Sequence, residues 1–330
     1  MPSRNRHVIA VVVLVPVLAA LALWAFAWPA SRIAPRDLPL GVAGPSAAAA
    51  QAERQLERHE GAFEIHRYAD EAAARDAIED RSVYGAVVVT PQGPELLTAS
   101  AASPVVAQFL QQAVAQQAAA QGTQVKTVDV VSTPAGDPRG AVLNAAALPL
   151  ALAGIAAGAV VTLLGLRGSR AVIALLGASA LVGVIAAGIA HSWLGALSGD
   201  WWTEASVLGL STLAVGGAVA GFAALIGPAG TGIGAAVVML IGNPFSGATS
   251  APQMLPEPAG TIGQWLPPGA GTTLLRSVSY FDGAAATGPA LTLAWWAALG
   301  LGAVLLGSSL RARKAGGGPA AERRELSAVA

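Results

Sequence analysis

The sequence predicts a polytopic α-helical membrane protein with six transmembrane helices and an extracytoplasmic α/β domain between the first and second. Three observations carry that expectation. Of 330 residues, 54% are hydrophobic and only 12% are charged, about half the charge share of a soluble domain. Several uncharged runs are long enough to cross a hydrocarbon core of roughly 30 Å as helices. Most of the acidic residues fall between Asp37 and Asp137, where the apolar runs give way to short strand and helix patterns. Acidic and basic residues balance at 19 each, which leaves no electrostatic footprint for nucleic acid. Cysteine is absent, so disulfides, thiolate metal sites and cysteine nucleophiles are excluded together.

Residues 1–27 read as a cytoplasmic leader and a transmembrane anchor. The run "VIAVVVLVPVLAALALWAFA" at 8–27 is uncharged, preceded by Arg4 and Arg6 and closed by Trp24 and Trp28. Ala25-Phe26-Ala27 has the small-x-small form of a signal-peptide cleavage site. A signal core is about 7–15 residues, however, so an uncleaved anchor is expected.

Residues 28–141 read as the extracytoplasmic α/β domain. "LPLGVAG" is a strand, "SAAAAQAERQLERHEG" a helix stopped by Gly61, and "FEIHRY" a strand. "DEAAARDAIEDR" is a helix with acids in its first turn, where the helix dipole favours them. "VYGAVVVTPQGPELLTAS" supplies two strands about a Pro/Gly turn. The next helix opens with Ser103 as its cap and Pro104 at its first position. "VKTVDVVS" is the last strand. Alternating strands and helices layer on one sheet, and about 110 residues bury a core unaided.

Residues 142–310 read as a five-helix membrane domain, with spans near 142–165, 171–190, 204–226, 229–242 and 289–310. An external Pro-rich insert, 243–288, precedes the last span, and 311–330 read as a disordered cytoplasmic tail. With six spans, Arg4, Arg6, Arg167, Arg170, Arg311, Arg313 and Lys314 share one side, which the positive-inside rule makes cytoplasmic. The eight Trp residues (24, 28, 193, 201, 202, 265, 295 and 296) then lie near the outer interface.

The insert "NPFSGATSAPQMLPEPAGTIGQWLPPG" is a breaker-rich patch between strongly apolar segments. Consecutive prolines exclude a spanning helix through "LPPG". Downstream, "AGTTLLRSVSYF" places Leu274, Leu275, Val278 and Phe281 on one helical face, with Arg276 and Ser279 off it. That pattern suits an interfacial helix or a re-entrant element lining the outer mouth of a pathway. Pro267, Pro268, Gly269 and Arg276 are the candidate outer gate.

The span interiors hold no Asp, Glu, Lys or Arg, which disfavours an ion-coupled transporter. His191, Asp200 and Glu204 fall at the outer edge of the third and fourth spans, where a lone His reads as interfacial. Asn144 reads as a helix–helix hydrogen bond. Gly154/Gly158, Gly217/Gly221 and Gly230/Gly234 have the close-packing spacing, read first as packing within one bundle. No phosphate loop occurs, "GTGIG" at 230–234 lies in a span, and His59 and His66 lack zinc spacing. The acids of 53–80 interleave with Arg54, Arg58, Arg67, Arg75 and Arg81 as solvated faces. No enzyme activity, catalytic residue, cofactor or metal site is expected.

An anchor, an external α/β domain, and five spans with a Pro-rich insert before the last together resemble a known architecture. The stretches "LPLGVAG", "YADEAAARDAIEDRSVYGAVVVTP" and "NPFSGATSAPQMLP…LPPGAGTTLLRS" resemble the external domain and insert of type-2 ABC exporter permeases and of the phage infection protein family. The resemblance implies export of a lipid, glycoconjugate, drug or peptide by paired membrane subunits with separate ATPase subunits. The expected partners are therefore the lipid bilayer, an ATP-binding subunit and a second copy of the chain. Such permeases usually dock the ATPase through an N-terminal amphipathic helix and a large loop between spans two and three. Here the corresponding pieces are Met1–His7 and Leu166–Arg170, so Arg167, Gly168, Ser169 and Arg170 are the candidate docking residues. High Gly, Ala and Arg usage suggests a GC-rich bacterium and its plasma membrane. The alternative expectation is a cell-surface receptor or scaffold acting through the α/β domain without an ATPase.

Overall fold

Helix α1 (Pro2–Ala30) opens the computed structural model, which describes residues 2–91, 93–120, 122 and 124–316. The helix is exposed from Val8 to Leu21 and buries only Ala25 and Pro29 near its end. There Trp28 stacks on Trp24 at 5.5 Å and meets Phe245 edge-on at 6.0 Å.

The α/β domain follows. Its elements are β1 (Leu38–Ala43), α2 (Ser46–Leu56), β2 (Phe63–Tyr68), α3 (Glu71–Glu79), β3 (Gly85–Thr90), β4 (Gly93–Thr98), α4 (Pro104–Ala120) and β5 (Lys126–Asp129). They form one mixed sheet of order β2-β1-β3-β4-β5. Strand β1 runs parallel to β2 (Leu40 opposite Ile65) and to β3 (Val42 opposite Val87), while β4 turns back antiparallel to β3 and pairs parallel with β5. Helices α2, α3 and α4 make the crossovers that parallel pairing requires.

Local chemistry sets the ends of these elements. Asp70 Oδ1 accepts from Ala73 N at 2.9 Å, and Ser103 Oγ accepts from Val106 N at 3.2 Å, so both helices carry side-chain caps. Two stops come earlier than the sequence suggests. Helix α2 ends at Leu56, and the chain turns through His59 before Gly61 adopts its positive φ. Strand β5 ends at Asp129, whose carboxylate accepts from Ser100 N at 2.9 Å and Ser100 Oγ at 2.5 Å and so draws the chain toward the β4–α4 connection.

The bundle comprises α5 (Ala141–Leu163), α6 (Gly168–Ala187) with a π-helical extension Gly188–Trp193, and α7 (Trp201–Ile226). Next come α8 (Pro228–Ala236) with a π-helical extension Val237–Gly242, α9 (Ala259–Gln264), α10 (Pro267–Tyr280) and α11 (Thr287–Gly316). Overall 66% of the structure is helical. Five helices are long and apolar enough to cross a membrane: α1, α5, α6 with its extension, α7 and α11. Residues 229–242, expected as the fifth of six spans, fall in Pro228–Gly242, a shorter apolar helix. At 1.5 Å per residue it reaches roughly 22 Å, less than a hydrocarbon core. Helix α11 continues to Gly316, into the stretch expected as a tail, and residues 317–330 lie outside the described residues.

Helix α7 is the hub. It packs against α5, α6, α8, α10 and α11, and 61% of its apolar window is buried, against 6% for α1. Glycines allow that approach. A Cβ on Gly154 would lie 2.6 Å from Val215 Cβ, and one on Gly158 2.6 Å from Gly216 O. Gly183 of α6 meets Ala205 O at 2.3 Å by the same measure, and Gly300 of α11 meets the carbonyl carbon of Gly217 at 2.3 Å. The three Gly-x-x-x-Gly pairs therefore all face neighbours within one bundle.

Candidate functional site

The insert joins the bundle to the α/β domain rather than standing apart as a loop. Ala251 and Met254 complete the apolar cluster of Leu38, Leu40, Leu96, Val106 and Leu110 on one face of the sheet. Phe281 completes the cluster of Ala74, Ile78, Val83 and Leu97 on the other. The backbone is tied as well, with Ala34 N donating to Met254 O and Arg36 N to Gln253 O. The breakers serve this joint, because a chain that must touch both faces of a sheet between Ala251 and Phe281 needs sharp turns.

Pro267 and Pro268 are the first residues of α10, where their missing N–H groups cost nothing. Both prolines line a cleft between α5, α7 and α10. The cleft is shallow, with about 450 Å³ of space only when what lies open to its surroundings is counted, and Leu143, Ala147, Leu150, Leu208, Val215 and Leu275 supply its apolar wall. Two hydroxyls also line it, but Ser211 Oγ donates to Val207 O at 2.8 Å and Thr272 Oγ1 to Pro268 O at 2.9 Å. The wall is effectively apolar. Gly269 is not part of it. A Cβ there would lie 2.2 Å from Gly263 O, so this glycine packs α10 on α9.

Arg276 departs most from expectation. It is not an exposed residue on the polar side of an interfacial helix; it is 4% exposed. The sequence places it off the Leu274–Leu275 face, but the α/β domain covers that other side, so both sides of α10 are buried. Nη2 donates to Asn144 Oδ1 at 3.1 Å and to Ala248 O at 2.5 Å. Asn144 thus makes the helix–helix hydrogen bond its position suggests. Arg81 of the α/β domain reaches the same turn of α10. It donates to Thr273 O at 3.0 Å and to Ser277 Oγ, and lies 5.2 Å from the Phe281 ring centroid. Burial lowers both guanidinium groups from their ordinary value, Arg276 to about 10. Burial likewise raises Tyr84, whose hydroxyl donates to Gln253 Oε1 at 2.9 Å.

A second cluster lies beside the first and was not legible in the sequence as a pair. Glu204 is fully buried at the start of α7 and accepts from Gly199 N at 2.8 Å. Its other oxygen lies 2.7 Å from His191 Nδ1. His191 is therefore not a lone interfacial ring, and a buried carboxylate does occur at the bundle's edge. The π-helical turn Gly188–Trp193 carries the histidine, and no sequence period announces such a turn. The same loop is fixed to α10 by Tyr280 OH donating to Ala196 O at 2.7 Å and Ser198 Oγ to Ser279 O at 2.9 Å.

At the opposite end of α5, Arg167, Ser169 and Arg170 are exposed, and Arg167 is the N-cap of α6. Gly168 has a positive φ, and a Cβ there would meet Ser308 Oγ at 3.3 Å. Arg167 and Arg311 line a second cleft, and Arg311 Nη2 donates to Ala224 O at 2.5 Å, on the last turn of α7. Leu163 and Leu164 are exposed beside this loop. Among the described residues, no group of acidic or histidine side chains could hold a metal ion.

A protein-family model described as "ABC-2 family transporter protein" matches residues 6–308. Neither a search of curated proteins nor one of solved structures returned a match.

Proposed function

Because the chain belongs to the ABC-2 family of transporter proteins, we propose that it is the membrane subunit of a bacterial exporter. In this reading it moves an amphipathic or lipid-like substrate across the plasma membrane and takes its energy from a separate ATP-binding subunit. The observation that carries the reading is the apolar cleft between α5, α7 and α10, whose wall suits an acyl or similarly apolar chain. Pro267 and Pro268 shape its mouth, and Arg276 holds α10 against α5 through Asn144.

The basic residues at the far end of the bundle face the cytoplasm, and the α/β domain faces outward. Six crossings, with Pro228–Gly242 as a short fifth, place both termini inside. Arg167, Ser169 and Arg170, with exposed Leu163 and Leu164 beside them, form the surface on which the ATPase docks. The permease pairs with a second copy of itself. The scaffold alternative calls for an exposed apolar patch on the α/β domain. Between residues 31 and 140 the large exposed apolar side chains are Ile33 and Val105 alone among the described residues, so no observation favours it.

The test is to purify the tagged chain from its native membrane in mild detergent and identify what accompanies it. A stoichiometric nucleotide-binding subunit, lost when Arg167 and Arg170 are both replaced by Glu, is the expected result. Recovery of external partners alone would sink the reading.

A further inference from the structure

Helices α3 and α5 end in the same turn, but with different residues at its left-handed position. At the end of α5, Leu166 N donates to Val161 O and Gly165 N to Thr162 O, and Gly165 takes φ +66°. At the end of α3, Ser82 N donates to Ala77 O at 2.9 Å and Arg81 N to Ile78 O at 3.0 Å. Arg81 takes φ +59° there. Glycine is favoured in this closure, because an L side chain strains the left-handed backbone. An arginine in its place weakens its own domain unless the side chain gains elsewhere, so the outlier points to a role for that side chain.

The gain lies outside the α/β domain. The guanidinium group donates to Thr273 O at 3.0 Å and to Ser277 Oγ, 192 and 196 positions along the chain, and lies over the Phe281 ring. Ala34, Arg36 and Tyr84 tie the domain to Gln253 and Met254, before α9, whereas Arg81 bonds to α10 itself. The turn it grips is connected further. Ser277 Oγ donates to the same Thr273 O at 3.1 Å, Thr273 Oγ1 to Gln264 Oε1 at 2.7 Å, and Gln264 Nε2 to Ser246 O at 2.9 Å. Elsewhere on α10, Ala270 and Leu274 are buried in one cluster with Leu208 of α7. We propose that Arg81 is a positioning residue, the tie through which the α/β domain fixes α10 against α7. The strain in the α3 turn is offset by this grip and not by contacts within the domain. A shift of α3 is then felt at Thr273 and Ser277, on the helix that Pro267 and Pro268 begin. The tie does not depend on the export reading.

Hydrogen exchange read by mass spectrometry on the full-length chain in mild detergent tests this. Arg81→Gly removes the side chain and leaves the turn its preferred residue. Amides of 271–280 should then exchange about tenfold faster, the order of a lost charged hydrogen bond, while those of α3 exchange no faster than in the wild type. Arg81→Lys, which keeps one charged donor, should restore part of the protection. Ser277→Ala should loosen α10 in part, and by less again when residue 81 is already glycine. A side chain that merely ends α3 predicts otherwise: Arg81→Gly would steady α3 and leave α10 unchanged, and that result overturns the proposal. So does a rise shared equally by β1, β3 and α10, which marks a general loss of stability. An equal effect of Ser277→Ala in both backgrounds also overturns it, because the two residues would then act apart.

Discussion

Glu204 shows what a single side chain contributes at the bundle's edge. Its carboxylate accepts one backbone and one imidazole contact, and it is fully buried. Truncation leaves Gly199 N–H and His191 facing a void. Glu204→Ala is therefore expected to lose roughly 1–3 kcal/mol, the cost of an orphaned buried donor. Glu204→Gln keeps an acceptor for Gly199 and should lose less. Thermal unfolding of the two variants in the same detergent checks the order; equal losses would mean that the acceptor for Gly199 N–H is idle. Such a pair was hidden in the sequence because its members are separated by a loop that folds back, and adjacency in space leaves no periodic trace. Asn144 was legible for the opposite reason: a single carboxamide in an apolar run requires a partner across the helix interface. Arg276 lay between these cases. Its helix was visible, but the α/β domain that covers the helix's second side was not.

Among the elements, the glycine seams around α7 make the sharpest prediction. Gly183 and Gly300 have no room for a methyl group, since the nearest backbone atoms would lie 2.3 Å from each new Cβ. Gly177 and Gly302, on the same two helices, face open space. Gly183→Ala and Gly300→Ala should each cost about 1–3 kcal/mol through overpacking. Gly177→Ala and Gly302→Ala should be neutral or gain about 0.5–1 kcal/mol from helix propensity. Detergent unfolding midpoints compared within each helix decide it, and similar shifts for both members of a pair would refute the seam. Five long apolar helices of the six spans expected, the order of strands and helices in the α/β domain, and the caps at Asp70 and Ser103 were legible because composition and period dictate them. The ends of α2 and β5 were not, because a tertiary hydrogen bond or a turn stops each before its pattern fades.

For the molecule as a whole, the open question is sidedness, and the absence of cysteine makes it accessible. Gln51 is exposed on α2 and Ser169 in the first turn of α6. In the proposed orientation, Gln51→Cys reacts with a membrane-impermeant maleimide on intact cells, and Ser169→Cys reacts only after lysis. The reverse pattern would invert the topology. Reaction of both on intact cells would remove a crossing between them. The order of a long apolar helix, an α/β domain and a helical bundle was readable from composition and period. The role of the insert was not, because its contacts run to residues some 200 positions earlier.

The glycine seams also determine how the bundle can deform. Interlocked side chains resist sliding because each must change rotamer to pass its neighbour. Where α6 and α11 ride on α7 backbone to backbone at Gly183 and Gly300, little interlocks, so lengthwise shear is mechanically soft while separation is not. Helix α7 then behaves as a rail with two runners, while Val215 and Val219 key α5 to it. A push delivered near Arg167 at one end would travel along the runners to the prolines at the other, with no helix needing to bend.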